Sequence, residues 1–540
     1  MNIGPFFVDS DGDIPAARNS LTQLEQLRWV LGNLLESQDL KSVWPFRILL
    51  TKNEGTNPTF RSQFVSQNPE DATRFVLQNG QYLLVCSPSE PLPLGEVAGI
   101  LLDANTPRLP PEVERGLRQL FSTLHAQGTH VTWGGAPVHP DLAWARMQLF
   151  ATKFEYSLSF HIFLASLRDG STLRTAEQNA FGKPAQTLES EAAANLAAGH
   201  WESVPVSGRP LDPKRDFGEH SVDAATVDIY LADAQLAADP QAAEKAYKAA
   251  TGTGNPADAA LGYAGLAELA KRQHQPYKPY LEDAMQVGSR SAPVYLQEAD
   301  GLSGDQAVEL LKKAASLNPR WAEPIYRQAQ IASKPAEQEA LLRKCTELDP
   351  RRTDCWVKLA QLQSVDGHAT AAQGSWLRAE QSAPTGPARD RIHQLRLGSE
   401  EQRLNAADAE RRRQQEAAQE DDDRALRAEA ARIHAAERRA NRETASESNS
   451  SAAANAVPWN QLAAKRLTGY IVAIGCTEPA ATLSIRDRQG QTTKVRLGDR
   501  SKLGLSCGIQ RPPMPVSLTY SEHPDNQLGT AGEVVSLKRQ

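Results

Sequence analysis

A five-residue phrase that returns at near-regular intervals constrains this chain most. Ala315-Ser316-Leu317-Asn318-Pro319 comes back as Thr346-Glu347-Leu348-Asp349-Pro350 and again as Glu380-Gln381-Ser382-Ala383-Pro384. Each phrase closes an apolar-patterned helix on a proline, which cannot continue that helix and can open the next. Within the units, Trp356-Val357-Lys358-Leu359-Ala360 and Gly262-Tyr263-Ala264-Gly265-Leu266-Ala267 set large residues beside small ones, so that paired helices can approach closely. A unit this small cannot bury its own apolar face, and neighbouring units must stack into one continuous array. The steps from Pro293 to Pro319 and from Pro319 to Pro350 are 26 and 31 residues, so the turns between helices are expected to be trimmed.

Residues 220–398 thereby resemble tetratricopeptide repeats, whose period is about 34 residues, with room for four to five units. The resemblance implies an all-α solenoid whose groove receives a protein or peptide, with no cofactor. Candidate groove residues on the first helices are Tyr263, Tyr295, Tyr326, Gln330 and Lys358. The alternative role for the aromatic members is packing between helices.

The region before the repeats carries a second pattern. Phe6-Phe7-Val8-Asp9, then Ala16-Ala17-Arg18 and Leu24-Glu25-Gln26-Leu27-Arg28, reads as a strand followed by a long helix, and Phe46-Arg47-Ile48-Leu49-Leu50 as a further strand. Farther on come Leu109-Pro110-Pro111-Glu112-Val113-Glu114-Arg115-Gly116-Leu117, Phe121-Ser122, Asn179-Ala180-Phe181-Gly182 and Pro210-Leu211-Asp212-Pro213. Together these resemble the peptidase MA-like zinc metallopeptidases, the gluzincins, over residues 1–219, and imply an α+β domain. In that family His-Glu-x-x-His on a helix holds zinc with a later glutamate, and the first glutamate activates the metal-bound water. On this chain the two histidine slots fall on Gly95 and Gly99, and the third ligand falls on Arg115. Glu96 alone remains, with no metal-activated water to deprotonate. A guanidinium where the family places an anionic ligand opposes a metal by charge. The resemblance thus implies a vestigial site, Gly95, Glu96, Gly99 and Arg115, with Tyr156 after the next helix as a fifth member and no metal.

A working metallopeptidase with other ligands is the competing reading. His125, His130, His139 and His161 are near one another in sequence, but their spacings match no helical ligand pair. His130 lies in an apparent strand. No Gly-x-Ser-x-Gly elbow is present, and Cys86 follows an apolar strand as a structural thiol would.

From Ser399 the sequence turns to alternating Arg, Glu, Gln and Ala at helical spacing, which predicts a solvated helical spacer and then a flexible linker over 399–458. Residues 459–540 alternate as five short strands, predicting a small β-barrel of the OB or SH3-like kind. Its Arg486, Arg488, Lys494, Arg496 and Lys502 give basic surface, with Tyr470 and Tyr520 the aromatics available for stacking. Nucleic-acid binding through this barrel is the second alternative function.

Net charge is −6 and no run of about 18 apolar residues occurs, so neither a polybasic character nor a membrane span is expected. Met1 to Pro5 lacks the basic head and apolar core of a signal peptide. Cys345 with Cys355 and Cys476 with Cys507 are candidate disulfides. Bridged, they imply an oxidising compartment such as the periplasm; as thiols they fit the cytoplasm equally well. Members of the resembled family are commonly exported, which favours the cell envelope. The expected function is a non-enzymatic, protein-binding scaffold, multidomain and built on helical repeats.

Overall fold

The computed structural model describes residues 1–52, 74–447, 464–477, 480–498 and 506–539. The chain divides into two compact units, Met1–Ala407 and Asp408–Gln540.

The first unit begins with β1 (Asn2–Ile3) and β2 (Phe6–Ser10), followed by α1 (Ile14–Leu34), β3 (Phe46–Leu50), β4 (Val76–Gln78) and β5 (Gln81–Cys86). The Asp13 carboxylate accepts from Ala16 N and caps α1, with Pro15 in its first turn. Leu21, Leu24, Leu27 and Leu31 form the buried stripe that lays this helix on the sheet. Strand order is β1-β2-β3-β5-β4, with β2, β3 and β5 parallel and both edges antiparallel. Then come α2 (Leu94–Asn105), α3 (Pro111–Ser122), β6 (His125–Gln127), β7 (His130–Trp133), α4 (Leu142–Thr152), α5 (Phe154–Ser157), α6 (Phe160–Arg168), α7 (Leu173–Phe181), α8 (Ala185–Ala198), β8 (Val204–Ser207) and α9 (Pro213–Asp216). One contiguous core joins the sheet to these helices.

Five antiparallel helix pairs follow: α10 (Ala224–Gln235) with α11 (Pro240–Thr251), α12 (Pro256–Arg272) with α13 (Lys278–Gln286), α14 (Ala292–Glu298) with α15 (Gly304–Leu317), α16 (Ala322–Ile331) with α17 (Pro335–Leu348), and α18 (Thr353–Val365) with α19 (Ala369–Ser382). Gly265 lies against the Tyr247 ring so closely that a Cβ there would come within 2.3 Å of it; this is the close approach expected of the small residues. The short steps arise differently from the expectation. Helix α14 has 7 residues with Pro293 in its first turn, whereas Pro319 stands before α16, and from the start of α14 to that of α16 and on to that of α18 the steps are 30 and 31 residues. Cys345, near the end of α17, is bonded to Cys355 at the start of α18, with Cα atoms 6.2 Å apart.

The recurring phrases do more than punctuate. Asn318 Nδ2 donates to Val43 O at 2.9 Å, and the Trp321 ring meets Trp44 edge-on at 4.9 Å. Arg351, next to the second phrase, donates to Thr106 O at 3.0 Å and pairs with Glu114 at 2.7 Å and with Asp103. In the third phrase Gln381 donates to Leu167 O at 3.1 Å, while Ser382 O accepts from Arg108 at 3.2 Å. Farther up the array, Asn79 Nδ2 donates to Asp233 at 2.7 Å and Arg272 to Gln78 at 3.1 Å. The α+β part is thus clasped along successive inter-repeat turns, and both lie in the same compact unit.

The charged spacer, expected from Ser399, is part of a 62-residue helix, α20 (Gly386–Glu447). It starts early because Ala388 and Ile392 pack on Ala360 and Trp376 as a last layer of the array. Ion pairs such as Arg403–Glu400 and Arg424–Asp421 line it at i,i+3 spacing. The expected linker beyond residue 447 lies outside the described residues.

The second unit holds β9 (Ala464–Thr477), β10 (Ala480–Arg486), β11 (Thr492–Leu497), β12 (Gly508–Ser521) and β13 (Glu533–Arg539). The pairings run β10-β11-β13-β12-β9, and β9 pairs with β10 to complete the ring. Ile471, Leu483, Ile485, Val495, Val516 and Leu518 fill the interior, as period-two alternation requires. Cys476 is bonded to Cys507, with Cα atoms 6.0 Å apart.

Candidate functional site

The slots assigned to lost zinc ligands are closed by packing. Gly95 and Gly99 lie on α2 where α3 crosses it: a Cβ at Gly95 would sit 2.4 Å from Arg118 O, and one at Gly99 2.6 Å from Arg118 Nε. Gly116 makes a similar contact with α4, its Cβ position 2.3 Å from Ala143 O. At Gly95 and Gly116 the helix backbones touch, whereas at Gly99 the neighbour is the Arg118 side chain. Glu96 turns away, accepting from Arg74 N at 2.8 Å and Phe75 N at 3.1 Å, just before β4. Burial pushes its carboxyl above the usual range against those two bonds. Arg115 is largely exposed and pairs with Asp141 at 3.0 Å, the residue that caps α4. Glu96 and Arg115 therefore serve different elements.

Tyr156 is fully buried against Phe150 and Phe181. Its hydroxyl donates to Glu191 at 2.5 Å and accepts from Lys183 at 2.5 Å. The Tyr156 hydroxyl, with Lys183 and Lys153, holds the Glu191 carboxyl down to about 2. None of Gly95, Glu96, Gly99 and Arg115 is a partner in this network, so Tyr156 is not joined to the other expected members. A crevice of about 620 Å³, lined by Asp11, Leu50, Val227 and Asp228 among others, opens at the carboxyl ends of β2 and β3, and none of the vestigial residues lines it.

The four histidines are also dispersed: His125 meets Gln127, His161 meets Glu36, and His130 is exposed on β7. Among the described residues one trio, Glu339, Asp366 and His368, brings three ligand atoms within 4.8 Å of one another. Arg343 already holds Glu339 at 2.6 Å. Cys86 is buried and unpaired, and burial pushes its thiol up to about 12, which keeps it unreactive.

Restoring histidine at both slots tests the packing account directly. The Gly95→His/Gly99→His double variant is expected to lose about 2–3 kcal/mol through overpacking and to bind no zinc. Urea unfolding with metal analysis of the dialysed protein checks both. Stoichiometric zinc at parental stability would show that α2 and α3 leave room for ligands.

The first helices of the array present a different arrangement. Glu323 accepts from Arg327 at 2.6 Å and pairs with Arg352 at 2.5 Å, while Arg327 also reaches Asp300. Burial opposes the charge on Glu323, but the two guanidiniums hold its carboxyl below the usual range. Arg352 lies 4.5 Å over the Tyr326 ring. This ladder runs from the end of α14 through α16 to the start of α18. Gln330 on α16 and Lys358 on α18 are exposed. Tyr326 is half-buried on the ladder, whereas Tyr295 donates its hydroxyl to Ser289 O at 2.9 Å and Tyr263 packs near Tyr280 in the inter-helix core. Asp300, Glu323, Arg327 and Arg352 are not among the groove residues expected from the sequence. The ladder's one legible trace is the i,i+4 pair Glu323 and Arg327, since the links to Asp300 and Arg352 depend on how repeats stack.

No protein-family model matches this chain, and no curated protein matches it. Among solved structures, the MamA protein is 15% identical, with 29% of this chain and 91% of that chain covered and a TM-score of 0.24. YrrB, described as a TPR protein with an unusual peptide-binding site, is 17% identical over 32% of this chain and 92% of its own, with a TM-score of 0.25. Yeast Tom70 is 14% identical over 58% and 70%, with a TM-score of 0.28. At these scores the helix pairs of this chain carry the repeat reading by themselves.

Proposed function

We propose that this protein is a non-enzymatic scaffold of the tetratricopeptide type that receives an extended protein segment on the first-helix face of its repeats. The observation that carries the reading is the ladder Asp300–Arg327–Glu323–Arg352 with the Tyr326 ring under Arg352, which spans consecutive repeats whose first helices also expose Gln330 and Lys358. Alternating fixed charges and hydrogen-bonding side chains suit a peptide backbone, and the repeat spacing suits an extended one. In this reading the α+β part is a peptidase-like scaffold that has exchanged chemistry for packing: it braces the repeats along their turns. The two disulfides support a home in an oxidising compartment, and the cell envelope is the proposed location. Among the described residues no helix is long and apolar enough to cross a membrane.

A photocrosslinking residue placed at position 358, and in a separate variant at exposed position 344 on the second helix α17, tests this in cells. A partner captured from 358 and lost in an Arg352→Glu background, with none captured from 344, is the expected result. Equal capture from both positions would remove the first-helix face as the binding surface.

A further inference from the structure

The second unit carries a face that the repeat reading does not use. Residues 464–540 hold eleven Lys and Arg against six Asp and Glu, a surplus of five positive charges in a chain whose net charge is −6. The strand register gathers part of that surplus. On β9, β10 and β11 the buried set is Ile471, Ile474, Leu483, Ile485, Val495 and Leu497, so the alternate residues point outward. Cross-strand pairing arranges these in rows: Tyr470, Arg486 and Thr492; then Ala473, Ser484 and Lys494; then Gly475, Thr482 and Arg496. Each row contributes one cation, and successive rows are two residues, roughly 7 Å, apart along the strand. Between the cations lie small or hydroxyl-bearing side chains, which leave a shallow polar floor.

Two of its three acidic neighbours are engaged elsewhere. Asp487 accepts from Gln489 N and Gln491 N within its own turn, each at 2.9 Å. Glu522 is taken by Lys465. Glu533, opposite Arg496 across the β11–β13 pairing, stands at the edge of the face. Among the described residues Arg486, Lys494 and Arg496 have no ion-pair partner within 4 Å. Tyr470 is 47% exposed at one end of the face, directly across from Arg486. Tyr520, the other expected stacking aromatic, is buried in the interior, and Lys502 lies outside the described residues.

We infer that this face binds an acidic oligosaccharide. Three spaced cations meet carboxylated or sulfated sugars, the hydroxyl side chains hydrogen-bond sugar hydroxyls, and the single exposed ring gives one platform for one pyranose. A single-stranded nucleic acid is served by successive aromatic platforms, and this face has one.

Fluorescence polarisation of labelled oligogalacturonate with the full chain tests the inference, alongside neutral dextran fragments and a twelve-residue thymidine oligonucleotide. Expected are saturable binding of oligogalacturonate that weakens at least tenfold in Arg486→Gln/Lys494→Gln and severalfold in Tyr470→Ser, and no dextran binding. Lys538→Gln, on β13 away from the face, should bind like the parent. Far-UV circular dichroism of each variant separates lost binding from lost folding. Tighter binding of the oligonucleotide than of the oligogalacturonate would overturn the choice of ligand. Binding that is absent, or indifferent to the three face substitutions, would overturn the site.

Discussion

Arg351→Ala is expected to unclasp the α+β part from the repeats and to cost about 3–5 kcal/mol, the range for removing one partner of a buried ion pair. The Arg351 side chain is 7% exposed and Glu114 13%. Its guanidinium serves four acceptors: Thr106 O at 3.0 Å, Thr106 Oγ1 at 3.2 Å, Glu114 at 2.7 Å and Asp103. Alanine would leave Glu114 buried with only the Leu109 N–H bond of 2.9 Å. Arg351→Lys should recover only part of the loss, because an ammonium cannot reproduce a planar fork to several acceptors. Since a folded unit commonly has about 5–15 kcal/mol in total, the loss should convert one cooperative thermal transition into two and expose the turn near residue 107 to protease. A single transition at the parental temperature, with no new cleavage, would mean that the apolar contacts, Trp44 on Trp321 among them, join the two parts without this arginine.

That seam marks the limit of what the sequence reveals. Local signals were readable: the phrase prolines Pro319 and Pro350 mark the turns after α15 and α17, and strict alternation places β10 and β11. The phrase residues Asn318 and Ser382, and Arg351 beside the second phrase, carry no local sign that they hold Val43, Arg108 and Thr106, because those partners lie more than 240 positions away in sequence. Gly95 and Gly99 show the converse problem. A glycine in a ligand slot and a glycine at a helix crossing are the same letter, and only the position of the Arg118 backbone and side chain separates the two meanings. Tyr156 was expected as a fifth member of the vestigial site, yet its buried hydroxyl is spent on Glu191 and Lys183. The resemblance to zinc peptidases in the first 219 residues therefore describes a sequence pattern, while the geometry describes packing.

The same seam is expected to weaken as pH rises. Asp233 on α10 is buried; its Oδ1 accepts from Asn79 Nδ2 at 2.7 Å and from the Tyr247 hydroxyl at 2.8 Å, while Oδ2 is buried without a partner. Burial pushes this carboxyl up to about 7, against the two hydrogen bonds, from an ordinary value of 3.8. Over that interval the folded state holds a proton that the unfolded chain has released. The stabilisation is complete below about pH 4 and is lost as pH rises through 7, with a full span of roughly 4 kcal/mol at 1.36 kcal/mol per unit. Glu96, Glu177, Glu298 and Asp349 are raised by burial as well and act in the same direction, so the test is a difference. Asp233→Asn keeps the shape and the Oδ1 acceptor of the neutral acid and cannot ionise. Urea unfolding from pH 5 to pH 8 should show the parent losing about 2–3 kcal/mol more than Asp233→Asn, the part of the span that falls between pH 5 and 7, with the variant the more stable protein at pH 8. Parallel curves would show that Asp233 does not change its charge in this range. Because Asp233 ties the β4–β5 turn to both helices of the first pair, a converging result would make protonation of one carboxyl a determinant of how firmly the first repeat holds the α+β part.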